Sequence, residues 1–198
     1  MANTRYAMVI DVRRCIGCNA CSVACKSENA VPPGVWRTWV KQGEKGQYPN
    51  VSTVFLPVMC NNCQNPICIR NCPTQATYQR EDGIVMVDPH RCIGCKYCMA
   101  SCPYNARYLN PLKKIVQKCS WCYHRVDAGL EPACVNSCPT GAMVFGNLND
   151  PASEVSRLLA RNAISVLKPE KNTTPHVFYI GADEALMRAT GETEEGQA

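Results

Sequence analysis

Sixteen cysteines in 198 residues limit what this chain can fold into more than any other feature of its sequence. They sort by spacing into four sets of four, with none left over. Cys15, Cys18, Cys21 and Cys25 are spaced C-x2-C-x2-C-x3-C. Cys60, Cys63, Cys68 and Cys72 have two, four and three residues between them. Cys92, Cys95, Cys98 and Cys102 repeat the first spacing, and Cys119, Cys122, Cys134 and Cys138 have two, eleven and three. Proline follows the last cysteine of the second, third and fourth sets (Pro73, Pro103, Pro139), where the first set has Lys26. The 46% hydrophobic content includes these cysteines, and aromatic residues are only 7%. A chain this thin in core-forming side chains leans on disulfides or on metal.

The start of the chain favours metal. MANTRYAMVIDVRRC has no apolar stretch of signal-peptide length, because Asp11, Arg13 and Arg14 interrupt it. The Arg13-Arg14 pair is not followed by an apolar run and is not read as a twin-arginine export signal. No run approaches the roughly 20 apolar residues that span a bilayer. The chain is therefore expected to have no signal peptide and no direct membrane span of its own, and to keep its thiols reduced and free for metal.

Three thiols at i, i+3 and i+6 suit the corners of a cubane. A loop such as Cys92-Ile93-Gly94-Cys95 turns sharply at its glycine and offers sulfurs to neighbouring irons. In bacterial two-cluster ferredoxins the fourth thiolate of each motif binds the other cluster, so that two motifs interlock. Structural zinc prefers two cysteine pairs closing a tetrahedron, and here a third cysteine crowds each first pair. Disulfides need an oxidising destination and strain across C-x2-C loops. A radical enzyme leaves one iron open, whereas sixteen thiols fill sixteen ligand positions. Closed clusters carry electrons and do not bind a substrate.

DVRRCIGCNACSVAC (11–25) aligns without gaps to DPHRCIGCKYCMASC (88–102). A short strand candidate precedes each, YAMVI in one case and GIVMV in the other. Such a repeat indicates a duplicated unit. The formal charge of +5 is scattered along the chain, which argues against nucleic acid as a partner. Four cubanes at about −2 each would leave the loaded protein mildly acidic.

The order of the four motifs, with EDGIVMVDPHRCIGC, CPYNARYLNP and PACVNSCPTGAMVFGNLNDP, resembles the four-cluster ferredoxin-like electron-transfer subunits of the dimethyl sulfoxide reductase superfamily. The likeness is strongest to the polysulfide, thiosulfate and nitrite-reductase-associated type, and it covers about residues 5 to 180. It implies an α+β fold of two bacterial-ferredoxin-like modules with pseudo-symmetry, loop-rich and cluster-stabilised. The outer module is split between 1–29 and 112–148, and the central one is 60–111. An inserted β-hairpin occupies 30–59, and 149–198 is a C-terminal extension.

Carried over residue by residue, the resemblance implies four [4Fe–4S] clusters. Cys15, Cys18 and Cys21 would share one with Cys138, and Cys119, Cys122 and Cys134 one with Cys25. Cys60, Cys63 and Cys68 would share one with Cys102, and Cys92, Cys95 and Cys98 one with Cys72. The implied partners are a molybdenum or tungsten bis-pterin (molybdopterin-type) catalytic subunit and a quinone-reactive membrane anchor. The chain would relay electrons between them and turn over nothing itself. The resemblance places it at the cytoplasmic membrane, the periplasmic side favoured and the cytoplasmic side open. The alternatives are a free-standing polyferredoxin shuttle and a zinc-stabilised scaffold.

Within 30–59, VWRTWVK and VSTVFLP are the expected strands and GEKGQYPN the expected turn. Trp36 and Trp39 are read as cover for a cluster, or as a docking surface. NDPASEVSRLLARN is expected to open a helix capped by Asp150, with Pro151 in its first turn and Val155, Leu158 and Leu159 on one face. PHVFYIG is a strand candidate laid on the body or on a partner, and the tail ATGETEEGQA is expected to be loose. His90, His124 and His176 are expected in surface or packing roles, since no cysteine is missing for them to replace. Arg14, Arg91 and Lys118 directly precede the first cysteine of three motifs, whereas the second has Met59. Positive charge favours a reduced cluster, so the cluster of Cys60, Cys63 and Cys68 is expected to be the low-potential one.

Overall fold

The computed structural model describes residues 4–188. The elements run β1 (Tyr6–Asp11), α1 (Ala20–Glu28), β2 (Thr38–Gln47), β3 (Asn50–Met59), α2 (Ile67–Arg70), β4 (Thr77–Gln79), β5 (Val85–Val87), α3 (Tyr97–Ala100), β6 (Arg107–Leu109) and β7 (Val116–Lys118). They continue with α4 (Tyr123–Val126), α5 (Ala133–Asn136), β8 (Met143–Asn147), α6 (Glu154–Arg161), β9 (Ile164–Ser165), β10 (Val177–Ile180) and α7 (Glu184–Arg188). Short helices, three small two-stranded sheets and one four-stranded sheet make this an α+β chain.

β1 anchors the larger sheet, whose order is β8-β1-β10-β9. Its residues alternate between two apolar layers, as the two-residue repeat of a strand requires. Met8 and Ile10 enter the main core, while Ala7 and Val9 pack with Val155 and Ile180. A strand covered on both faces has no polar side to show, which is why YAMVI lacks the alternation of a surface strand. β8 runs antiparallel to β1, from Tyr6↔Asn147 to Ile10↔Met143. β10 runs parallel to it, from Met8↔Val177 to Asp11↔Ile180. The candidate strand PHVFYIG therefore lies on the body, paired to β1.

The helix after β8 starts later than expected. Asp150 accepts a hydrogen bond from the Ala152 backbone N–H (2.9 Å), and its carbonyl takes the Ser153 N–H. Its carboxylate thus closes a local turn, and α6 begins at Glu154. Val155 is buried, with Leu158 and Leu159 packed beside it. Gly146 on β8 lets this segment approach, because a Cβ there would lie 2.6 Å from Ser153 Oγ.

The hairpin of β2 and β3 is longer than the sequence suggested. Most of the expected turn GEKGQYPN is strand, paired out to Gln47↔Asn50, and only Tyr48 and Pro49 connect the two arms. Its far end is exposed, while Leu56, Val58 and Met59 join the main core. Two further hairpins, β4–β5 and β6–β7, separate the successive cysteine motifs. The tail ATGETEEGQA lies outside the described residues.

Tyr179 ties these parts together. It is fully buried on β10, and its hydroxyl donates to the Pro57 carbonyl at 3.0 Å, across 122 positions of chain. Tyr179→Phe leaves that carbonyl without its donor and is expected to cost about 1–2 kcal/mol. A lower thermal-unfolding midpoint of the iron-loaded protein, with unchanged iron content, is the expected result.

Candidate metal centres

Each motif bends its chain around its thiols with left-handed residues. In the first loop Gly17 (φ +70°) and Asn19 (φ +57°) turn the chain into α1, and Gly94 (φ +68°) and Lys96 (φ +64°) do the same before α3. Asn62 lies in that region in the second motif, as do Trp121 and Cys122 in the fourth. After Cys72, Cys102 and Cys138 the next residue is proline, and Gln75, Asn105 and Gly141 are left-handed. Their N–H groups return to the cysteine carbonyls at 3.2–3.3 Å.

These bends bring distant cysteines together. Cys138 lies close enough to Cys15 and Cys21 for its charge to act on both. Cys134 is in the same relation to Cys119, Cys122 and Cys25. Asn29 Nδ2 reaches both Cys25 Sγ (3.8 Å) and Cys122 Sγ (3.6 Å). Cys60, Cys63, Cys68 and Cys102 line one cavity. Cys98 neighbours Cys72 and also Cys68. Cys18 and Cys95 are exposed, whereas the thiols of the fourth set before Cys138 are all buried.

The buried thiols lie in surroundings that oppose a bare negative charge. Burial pushes Cys25 and Cys63 up to about 12 and raises Cys119 and Cys134 as well. Burial also acts to raise Cys138 and Cys72, but donors outweigh it and the net shift is downward. Thr140 and the backbone of Ala142 and Met143 act on Cys138; Thr77, Thr74 and Ala76 act on Cys72. Backbone N–H groups also reach sulfur from Val116 to Cys92 (3.4 Å), Trp121 to Cys119 (3.4 Å) and Ala142 to Cys138 (3.3 Å).

The arrangement fits iron–sulfur clusters. Thiols that burial would keep protonated become thiolates when a cation takes the proton's place. Several buried polar atoms beside them have no protein partner: Ser22 Oγ, both side-chain atoms of Asn61, Gln64 Oε1, Ser101 Oγ, Arg107 Nη2 and Trp121 Nε1. In a native protein such orphans call for a partner. These sit within two residues of a cysteine in the sequence except Arg107, and His176 Nδ1 is a further unpartnered atom far from any cysteine in the sequence. Among the described residues, no three His, Cys, Asp or Glu side chains form a site for a single metal ion.

Residues 51–148 match the 4Fe-4S dicluster domain family, and residues 14–76 match a second family of the same description. The chain is 52% identical over 187 residues to a subunit of the tetrathionate reductase of Salmonella typhimurium, covering 92% of this chain and 75% of the relative. It is 42% identical over 179 residues to a component of the polysulfide reductase of Wolinella succinogenes, covering 89% and 94%. The same identity and length relate it to protein NrfC of Escherichia coli, covering 89% and 80%. The chain belongs to this family of reductase iron–sulfur subunits. Two dicluster domains make it a carrier of 4Fe–4S clusters, and its function is electron transfer.

The C-terminal segment contributes to the site of this iron–sulfur subunit in a way the sequence did not signal. Gln64 N–H donates to the Thr174 carbonyl, Asn65 N–H to that of Thr173, and His176 N–H to that of Asn61. Thr173 Oγ1 also hydrogen-bonds the Tyr104 hydroxyl. The second cysteine loop is thus held by residues more than a hundred positions away. His176 is a packing residue, and burial pulls it down to about 4, so it stays neutral. His124 pairs with Glu28 at 2.7 Å, and His90 is exposed. Trp39 packs against the main core, and Trp36 carries Lys26 Nζ over its ring at 4.4 Å.

Gly94 offers a direct test of the loop geometry. A Cβ there would meet the Lys114 carbonyl oxygen at 2.5 Å, and the left-handed φ adds strain. Gly94→Ala is expected to lower bound iron by about one cluster's share, measured by elemental analysis of the purified protein. Full iron content would contradict this account of the loop.

Proposed function

We propose that the sixteen cysteines hold four [4Fe–4S] clusters in two ferredoxin-like modules. One is formed by 1–29 with 112–148, and the other by 60–111. The ligand sets are Cys15, Cys18, Cys21 and Cys138; Cys119, Cys122, Cys134 and Cys25; Cys60, Cys63, Cys68 and Cys102; and Cys92, Cys95, Cys98 and Cys72. The observation that carries this reading is the meeting of Cys138 with the first loop, matched by that of Cys25 with Cys122 and Cys134.

Exposure suggests where electrons enter and leave. The loops of Cys18 and Cys95 reach the surface, with Ile16 60% and Ile93 68% exposed. Apolar side chains at a redox centre's surface suit docking against a partner. The other two quartets have no exposed thiol and would carry electrons between these ends. We assign the two partners as a molybdenum or tungsten bis-pterin catalytic subunit and a quinone-reactive membrane subunit. The assignment is supported by relatives named as parts of tetrathionate and polysulfide reductases. Among the described residues no helix is long and apolar enough to cross a membrane, which suits a peripheral place, and we favour the periplasmic side. The protein's contribution is to position the clusters, exclude water and set their potentials.

Elemental analysis is expected to find sixteen irons per chain. Cys138→Ser is expected to alter the paramagnetic signal of one cluster and to leave that of the Cys25 set unchanged; a change confined to the latter would refute the crossed pairing. Purification from the native host is expected to bring down a large pterin-containing protein. A brown monomer active with soluble reductases would overturn the assignment of partners. Chelating the iron is expected to abolish most native circular dichroism, because ligands from Cys15 to Cys138 are gathered only around metal.

A further inference from the structure

Two cations lie directly opposite each other inside the protein. Arg107 on β6 pairs with Lys118 on β7 in the antiparallel register, which puts both side chains on one face of the hairpin. Arg107 is 1% exposed and Lys118 3%. Like charges in this position repel, and burial adds a desolvation cost to each. Among the described residues neither forms an ion pair with Asp or Glu. Arg107 Nη1 donates to Thr77 Oγ1 (3.3 Å), its Nη2 has no hydrogen-bond partner, and the guanidinium also acts on the Cys98 thiol. Lys118 Nζ donates to Asn62 Oδ1 (3.0 Å) and to the Cys119 carbonyl (2.7 Å).

The missing negative charge lies on the cysteine side. Arg107 lines the cavity of Cys60, Cys63, Cys68 and Cys102. Asn62, which receives Lys118, stands between Cys60 and Cys63 and also accepts the Val85 N–H (3.0 Å). Arg107 thus lies against the quartet whose motif has Met59 where the others have a cation, and Lys118 reaches the same loop through Asn62 while also donating to the Cys119 carbonyl. Arg14 and Arg91, the cations that precede the first and third motifs, are exposed, and water screens them. Position in the sequence had pointed to this quartet as the low-potential one. The structure reverses the charge argument behind that expectation.

We propose that Arg107 and Lys118 form a buried dication that raises the potential of the cluster held by Cys60, Cys63, Cys68 and Cys102. This rests on the four-cluster reading above. A positive charge in a low-dielectric interior stabilises the reduced cluster, which carries one more negative charge than the oxidised one. In turn the cluster supplies the anion that makes the cross-strand pair tolerable.

The test is a redox titration, followed by electron paramagnetic resonance, of the full iron-loaded chain as wild type, Arg107→Gln, Lys118→Gln and Arg107→Lys. Both glutamine variants are expected to keep their iron and to lower the midpoint potential of one shared cluster; Arg107→Gln alone is expected also to shift the cluster of Cys98, whose thiol the guanidinium acts on. Arg107→Lys is expected to stay near wild type. Unchanged potentials in both glutamine variants would overturn the proposal, as would an equal fall in Arg107→Lys, which keeps the charge. If Arg107→Gln alone loses iron, Lys118→Gln decides on the same criterion. Iron loss in all three would make the pair a structural support and overturn its tuning role. A wild-type chain with fewer than sixteen irons would instead defeat the four-cluster reading.

Discussion

The bond between iron and thiolate is the interaction on which the rest of this fold depends. Cys25, Cys119 and Cys134 lie in surroundings that resist a bare negative charge, and the helices α2, α3, α4 and α5 within or beside the motifs are each only four residues long. Helices so short are not stable by themselves. The hairpins β4–β5 and β6–β7 pair only three residues on each side, too few for independent stability. These elements persist because each is fastened at a cysteine motif that cluster binding holds in place. The apolar core around β1 does the ordinary work of a small domain beside them.

Much of the site was legible in the sequence because cysteine spacing is a geometric statement. A thiol every third residue, with glycine between the first two, prescribes a loop of definite curvature, and Gly17 and Gly94 adopt the left-handed turn that curvature needs. The YAMVI strand was legible for a different reason, its continuous apolar run. Its partners were not, since β10 comes from the far end of the chain and no local pattern links the two. The start of α6 was misread because Asp150 and Ser153 are both plausible caps; the choice fell to the turn that Asp150 closes with Ala152. The hairpin turn was drawn too wide because glycine, lysine and glutamine at a solvent-exposed end look like loop whether or not they pair.

Charge was the hardest property to read in one dimension. Arg14, Arg91 and Lys118 occupy equivalent places in their motifs, yet only Lys118 is buried. Arg107, five residues past Cys102, carries no motif signal, but the strand turns it inward to the quartet of the preceding motif. The hydrogen bonds of Gln64 and Asn65 to Thr174 and Thr173 have the same character. In both cases residues remote in the chain complete the surroundings of a cysteine loop. Spacing within a motif reveals its thiols, while the polar groups around them come from elsewhere in the fold.

The central place of β1 in its sheet bears on biosynthesis. β1 has β8 on one edge and β10 on the other, and these begin only at Met143 and Val177. β1 therefore lacks β8 until Asn147 has been made and lacks β10 until Ile180 has been made, so its apolar run is covered in two steps. The growing chain thus carries an uncovered apolar strand until β8 arrives, and the pairing of β1 with β10 completes its cover.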